Sequence, residues 1–142
     1  MENTEKKVVI DSNWYISFLI KKSDSRLNAV LLNYDVELII SNDLINELKN
    51  TIQEERFRKY FPIPDAMLFI ERLQQKAIFV NVTAPLQEWC RDVKDNYLLA
   101  LSKDSDADYL ITGDKDLLVL KQFENTLIIT LSQFLEIINA LS

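Results

Sequence analysis

The sequence predicts an α/β domain in which helices cover both faces of a parallel sheet. Short apolar runs rich in β-branched residues alternate with stretches of helical periodicity along the 142 residues. No linker, internal repeat or low-complexity segment interrupts this alternation. We therefore expect residues 1–142 to form a single three-layer α/β/α domain.

The first third of the chain predicts two strands separated by two helices. The strand Lys7–Ile10 ends in the polar triplet Asp11-Ser12-Asn13, which can cap a helix over Trp14–Ile20. A second helix is expected over Ser25–Asn33, before the β-branched strand Val36–Ile40. The apolar face of this second helix comprises Leu27, Val30, Leu31 and Tyr34.

The middle of the chain predicts two further helices and a strand. Ser41 or Asn42 caps a helix that runs to about Phe57, and the Pro-rich stretch 61–64 then breaks it. The apolar face of that helix comprises Leu44, Ile45, Leu48 and Ile52. Pro64 opens the helix Asp65–Gln75, because proline is accepted at a first helical position. A third strand, Ala77–Val82, and a loop containing Pro85 and Trp89 follow.

The last third repeats the alternation. The expected elements are a helix at Asn96–Ser102, a strand at Tyr109–Thr112, a helix at Lys115–Phe123, a strand at Thr126–Thr130 and a final helix that ends near Leu141. Gly113, the single glycine of the chain, predicts a turn with positive φ or a place where the backbone must approach something closely.

Composition excludes several classes of protein. The chain has no histidine, so a Ser-His-Asp triad and a histidine-ligated zinc site are both excluded. One glycine is too few for a Gly-rich phosphate loop. Cys90 is alone and no apolar run reaches the length of a membrane span, which predicts a cytoplasmic protein without an internal disulfide. The net charge of −6 counts mildly against binding to nucleic acid.

Four acids from distant segments are expected to meet at the carboxyl edge of the sheet. Asp11 ends the first strand, Asp114 follows the fourth, and Glu47 and Asp95 lie near helix starts at the same edge. Like charges gathered in this way repel one another unless a cation binds between them. Carboxylates suit Mg²⁺ or Mn²⁺, although acids such as Asp116 are equally well explained as partners of a helix N-terminus.

The stretches around these acids resemble the PIN-domain family, in particular VapC-like toxins of toxin–antitoxin systems. The matching stretches are VVIDSNWYISFL, SNDLINEL, CRDVKDNYLLALS and ADYLITGDKDLL, which carry Asp11, Glu47, Asp95 and Asp114 in turn. The resemblance implies a sheet order of 3-2-1-4-5 and an endoribonuclease that uses Mg²⁺ or Mn²⁺. It also implies an RNA substrate and a cognate antitoxin, and it leaves a homodimer open.

Under this resemblance the four acids are catalytic and bind the metal, with Asp116 as an outer ligand. The residues expected to orient them or their waters are Ser12, Asn13 and Thr112. Arg56, Arg58 and Lys59 are mixed with aromatic residues and can bind RNA, or else complement the end of a helix. The alternative functions are a catalytically inactive PIN-like module that binds RNA or protein, and a Mg²⁺-binding regulatory domain.

Overall fold

The computed structural model describes residues 5–21, 25–83 and 95–141, and these residues form a six-stranded sheet surrounded by helices. The strands are β1 (Lys6–Ile10), β2 (Val36–Ile40), β3 (Ile78–Phe79), β4 (Tyr109–Ile111), β5 (Gln122–Phe123) and β6 (Thr126–Ile129). The helices are α1 (Ser12–Ile20), α2 (Ser25–Leu31), α3 (Asn42–Thr51), α4 (Ile63–Lys76), α5 (Asn96–Ser105), α6 (Lys115–Leu118) and α7 (Leu131–Leu141), with a 3₁₀ turn at Glu55–Phe57. The predicted loop with Pro85 and Trp89, and Cys90 beside them, lie outside the described residues.

The sheet has the order β3-β2-β1-β4-β6-β5, and every neighbouring pair except β5 and β6 is parallel. The predicted order of five parallel strands is confirmed, since the fifth predicted strand is β6. The order in which the strands are added to the sheet reverses between β1 and β4, which are parallel neighbours although they are far apart in sequence. Their carboxyl ends therefore form the crevice in which such sheets bind ligands.

Helices cover both faces of the central strands. Val8, Val9 and Ile10 are consecutive residues of β1, and the solvent reaches none of them. Successive side chains of a strand point to opposite faces, so both faces of β1 must be covered. Helix α5 packs on β1 and β4, α3 contacts α1, α4 and α5, and α2 packs against α7. The three-layer arrangement follows from this packing.

Several predicted bounds differ from the structure. Helix α3 ends at Thr51 and a 3₁₀ turn replaces its predicted continuation to Phe57. The third strand has two residues where six were predicted at Ala77–Val82. Helix α5 extends past Ser102 to Ser105, and Asp106 ends it with a left-handed backbone at φ 52°.

The predicted helix Lys115–Phe123 is wrong in its second half. Helix α6 ends at Leu118, and the antiparallel strand β5 takes up Gln122 and Phe123. Lys121 adopts a positive φ of 62°, which turns the chain back toward β6. Tyr34, predicted on the apolar face of α2, is 99% exposed, since α2 already ends at Leu31. None of the helices among the described residues combines the length and apolarity that crossing a membrane requires.

Candidate metal centre

Two of the predicted acids are held by the ends of β1 and β4. Asp11 follows β1 directly, and its backbone N–H donates to the carbonyl of Ile111 at 2.9 Å. Thr112 follows β4, and its N–H donates to the carbonyl of Ile129 at 3.0 Å. Each strand pairing thus continues one residue past the strand end, so the backbone fixes Asp11 and Thr112 beside each other.

The carboxylate of Asp11 is buried and held by donors of the chain. Only 3% of Asp11 is exposed. The Thr112 hydroxyl donates to its Oδ2 at 2.8 Å, and the Asn13 N–H donates to its Oδ1 at 3.1 Å, which also caps α1. Burial raises the pKa of Asp11, and the charge of Asp114 raises it further, while the hydrogen bonds from Thr112, Asn13 and Ser12 lower it. Asn13 and Thr112 thus contact the carboxylate of Asp11, and their predicted supporting roles and that of Ser12 remain predictions.

Asp114 is joined to Asp11 through Thr112 and to Asp95 directly. The N–H of Asp114 donates to the Thr112 Oγ1 at 3.0 Å. The Asp95 carboxyl interacts with the Asp114 carboxyl and lowers the pKa of Asp114, against the effect of its burial. Hydrogen bonds link Asp11, Thr112 and Asp114 through the side chains of Asp11 and Thr112 and the backbone N–H of Asp114. We call these three residues and Asp95 the acid chain.

Asp116 and Glu47 lie at the margin of the acid chain. The N–H of Asp116 donates to Asp114 Oδ1 at 2.9 Å, so Asp114 caps α6 and Asp116 sits in its first turn. Glu47 is exposed in the second turn of α3, on the side of the helix near Tyr97. Within the described ranges, no three acids or thiols converge closely enough to surround a cation directly. The acids meet in pairs instead, Asp11 with Asp114 through Thr112 and Asp114 with Asp95.

Tyr97 is a residue of this region that the sequence did not single out. It lies in the first turn of α5, two residues after Asp95, and its hydroxyl donates to Ser12 Oγ at 3.4 Å. Burial raises the pKa of Tyr97, and the charges of Asp11, Glu47 and Asp95 raise it further. Its position beside Asp95 was the available signal, but an aromatic residue among leucines in a helix reads as a core residue.

The basic residues between α3 and α4 differ in their surroundings. The guanidinium of Arg58 donates to the carbonyls of Ile52 and Glu54, which complements the end of α3. Arg56 is exposed and pairs with Glu54 at 3.2 Å. Lys59 is exposed and lies over the ring of Tyr60, 5.1 Å from its centroid. The structure therefore favours the helix-end interpretation for Arg58 and leaves Arg56 and Lys59 directed at solvent.

The single glycine does not have the predicted backbone conformation. Gly113 takes no positive φ, and a Cβ placed on it would meet no atom of the chain within 4 Å. Neither a left-handed turn nor crowding by the chain itself thus requires glycine here. The backbone between Thr112 and Asp114 is open on the side that a Cβ would occupy.

The donor groups of the region fit a hard divalent cation. Oxygen is the only donor element that the side chains of Asp11, Asp95, Asp114 and Glu47 offer, and the chain contains no histidine. Mg²⁺ and Mn²⁺ prefer oxygen ligands, and Mg²⁺ retains several waters, so two carboxylates can bind it directly while others act through water. The pairwise arrangement of the acid chain suits that mode of binding.

Known proteins resemble this chain in sequence. The sequence profile of the PIN domain family matches residues 7–116. An uncharacterised protein of Methanocaldococcus jannaschii is 28% identical over 124 residues, which span 85% of this chain and 79% of that protein.

Two solved structures have a similar fold. PAE2754 from Pyrobaculum aerophilum aligns with a TM-score of 0.63 at 14% identity, over 96% of this chain and 91% of that chain. A chain of VapBC2 from Rickettsia felis, solved bound to a DNA fragment from their promoter, aligns with a TM-score of 0.58 at 12% identity, over 86% of this chain and 96% of that chain. The family match covers most of the chain, including Asp11, Glu47, Asp95 and Asp114, and we conclude that this protein belongs to the PIN domain family.

Proposed function

We propose that the chain is an endoribonuclease that requires Mg²⁺ or Mn²⁺ and acts as the toxin of a toxin–antitoxin pair. PIN domains are generally nucleases that use divalent metal ions. The observation that supports the proposal in this chain is the acid chain itself, which links carboxyl groups from three separate segments at the carboxyl edge of the sheet. A structural role for these acids does not explain why two carboxyl groups are held against each other.

Each acid has a distinct role in this proposal. Asp95 and Asp114 are the direct ligands, because their carboxyl groups already meet. Asp11 and Glu47 act through bound water, and Asp116 remains an outer ligand or a helix-start acid. Ser12, Asn13 and Thr112 orient Asp11. A bound divalent cation supplies a water of lowered pKa and neutralises charge on the phosphodiester.

The RNA strand is proposed to contact Arg56 and Lys59. Both side chains are exposed. Arg56 lies 4.5 Å from the ring centroid of Phe57, which is buried, and Lys59 lies 5.1 Å from the ring centroid of Tyr60, which is exposed. Cations bind backbone phosphates, and the exposed ring of Tyr60 can stack with a base. Arg58 contributes little to this contact, because its guanidinium is engaged at the end of α3. Since the substrate is RNA, we also propose a cytoplasmic location.

A small basic antitoxin is the proposed protein partner. The net charge of −6 favours association with a partner of opposite charge. The similar fold of a VapBC2 chain from Rickettsia felis supports the same idea. Expression of the chain alone should arrest growth of its host, and co-expression of the antitoxin should restore it. The resemblance leaves a homodimer open, and sedimentation equilibrium would decide between monomer and dimer.

Cleavage of an unstructured RNA with and without EDTA tests the enzymatic proposal. We expect cleavage in Mn²⁺, loss of cleavage in EDTA, and recovery when excess Mn²⁺ is restored. Asp11→Asn should be inactive at every Mn²⁺ concentration. RNA that stays intact in Mn²⁺ but is bound by the chain would favour an inactive binding module instead. Cleavage that persists in EDTA would exclude the role given to the metal.

A further inference from the structure

Tyr97 connects the two elements that carry Asp11 and Asp95. Its ring is half-buried in the first turn of α5, and its hydroxyl lies 3.4 Å from Ser12 Oγ. Ser12 is the first residue of α1 and follows Asp11 directly. The hydrogen bond therefore spans 85 positions of sequence and links the start of α5 to the start of α1.

The contact continues from Ser12 to the carboxylate of Asp11. The Ser12 side chain acts on that carboxylate and lowers the pKa of Asp11. A serine hydroxyl has a single hydrogen, and the Ser12 oxygen accepts the hydrogen of the Tyr97 phenol, so the hydrogen of Ser12 remains for the adjacent carboxylate. By donating to Ser12, the phenol thus favours a Ser12 hydroxyl that serves as a donor. Ser12 is 6% exposed, so solvent has little access to its hydroxyl.

Tyr15 is a second buried tyrosine of the core, and its surroundings differ from those of Tyr97. The Tyr15 side chain is fully buried against Phe69, and among the described residues no group lies within hydrogen-bond distance of its hydroxyl. Burial alone raises the pKa of Tyr15, whereas three carboxylates also act on the phenol of Tyr97. The Tyr97 hydroxyl therefore faces the acids, and filling space in the core does not explain its position.

We infer that Tyr97 is a positioning residue of the cation site: its hydroxyl fixes the Ser12 hydroxyl and, through it, the carboxylate of Asp11. The inference rests on the proposed metal-dependent function. Removing a residue that hydrogen-bonds to a metal ligand typically weakens metal binding by tenfold or more. Tyr97 acts one step further out, through Ser12, so a smaller effect is expected.

The test is Mn²⁺ titration calorimetry on the full chain and on four variants. The variants are Tyr97→Phe, Ser12→Ala, the double variant and the matched control Tyr15→Phe. Tyr97→Phe should raise the Kd for Mn²⁺ by roughly three- to tenfold, because it removes one donor and keeps the ring. Ser12→Ala should raise it at least as much, and Tyr97→Phe should add nothing in the Ser12→Ala background. Tyr15→Phe should bind Mn²⁺ as the wild-type chain does.

Three results would overturn the inference. The first is an unchanged Kd in Tyr97→Phe, and the second is an effect that adds fully to that of Ser12→Ala. The third is an equal rise of the Kd for Mn²⁺ in Tyr15→Phe, which would indicate that loss of either phenol hydroxyl loosens the fold in general. A wild-type chain that binds no Mn²⁺ would overturn both this inference and the proposed metal dependence. A chain that binds Mn²⁺ but cuts no RNA would refute only the proposed function, and the calorimetric comparison would still decide the role of Tyr97.

Discussion

Replacing Asp114 with asparagine should abolish RNA cleavage without loss of stability. In the structure Asp114 accepts a hydrogen bond from the Asp116 N–H at 2.9 Å, and its carboxyl interacts with that of Asp95. The amide oxygen of asparagine can keep the first bond and its NH₂ group can donate to Asp95. One negative charge beside Asp11 and Asp95 is lost, and relief of such partly exposed repulsion is worth up to about 1 kcal/mol.

Mn²⁺ should reverse this order of stability. At a concentration of about 100 times the wild-type Kd, binding stabilises the wild-type chain by about 2.7 kcal/mol. A variant that binds tenfold more weakly gains about 1.4 kcal/mol at the same concentration, so wild type gains about 1.3 kcal/mol more. For a chain of this size that difference corresponds to about 3–5 °C in Tm. Thermal unfolding with and without Mn²⁺, beside an RNA cleavage assay, measures both effects.

Two controls separate the charge from the helix cap. Asp108→Asn should match wild type in both assays, since Asp108 binds the Lys7 N–H at 2.9 Å at the opposite end of β4. Asp114→Ala should lose about 1 kcal/mol in the absence of Mn²⁺, because it removes the cap of α6. If Asp114→Asn cuts RNA at the wild-type rate, or gains as much stability from Mn²⁺ as wild type does, Asp114 is only a helix-start acid and the metal site is misplaced.

Three further predictions concern stability and are measured by urea unfolding. Burial, reinforced by the charge of Asp114, holds the pKa of Asp11 above its ordinary value of 3.8. The folded chain then keeps a proton that the unfolded chain has lost, so stability should fall as pH rises from 3.8 through the raised pKa. Asp11→Asn should flatten that fall, and an unchanged slope would contradict the assignment. Gly113→Ala should raise the free energy of unfolding by about 0.4–1 kcal/mol, because the backbone there needs no positive φ and the added methyl has room. Glu124→Gly should raise it by about 0.5 kcal/mol, because φ is 52° at Glu124. A loss of stability in Gly113→Ala would show that glycine is needed there for a reason other than backbone conformation. A loss of stability in Glu124→Gly would show that the Glu124 side chain itself stabilises the fold.

The part of the fold that the sequence failed to predict is the turn at Lys121 and the strand β5 that follows it. Leu117, Leu118 and Leu120 have helical spacing, which predicts that α6 continues past Leu118. The chain instead turns at Lys121 with φ 62°, and neither glycine nor proline marks the place. Pairing of β5 with β6 outweighs the local helical preference, and long-range pairing of this kind leaves no short-range signal.

The candidate site was predicted to the level of the backbone but not of the side chains. The edge rule for parallel sheets places Asp11 and Asp114 correctly, because it depends only on strand order. It cannot tell that Asp95 meets Asp114 directly while Glu47 remains exposed, since that depends on rotamers and on how α3 and α5 pack. Tyr97 was missed for the same reason.

The sheet ends in a two-residue strand on each side, β3 and β5, within the part of the chain that the structure describes. A foreign strand would find only a short row of free backbone groups at either edge, and the polar side chains of Lys121, Gln122 and Glu124 surround the β5 edge. The β3 edge is equally short, although its two residues, Ile78 and Phe79, are exposed and apolar. Short edges oppose strand addition and the aggregation that begins with it. Among the described residues, a binding protein therefore has far more helix and loop surface to recognise than free strand backbone to extend.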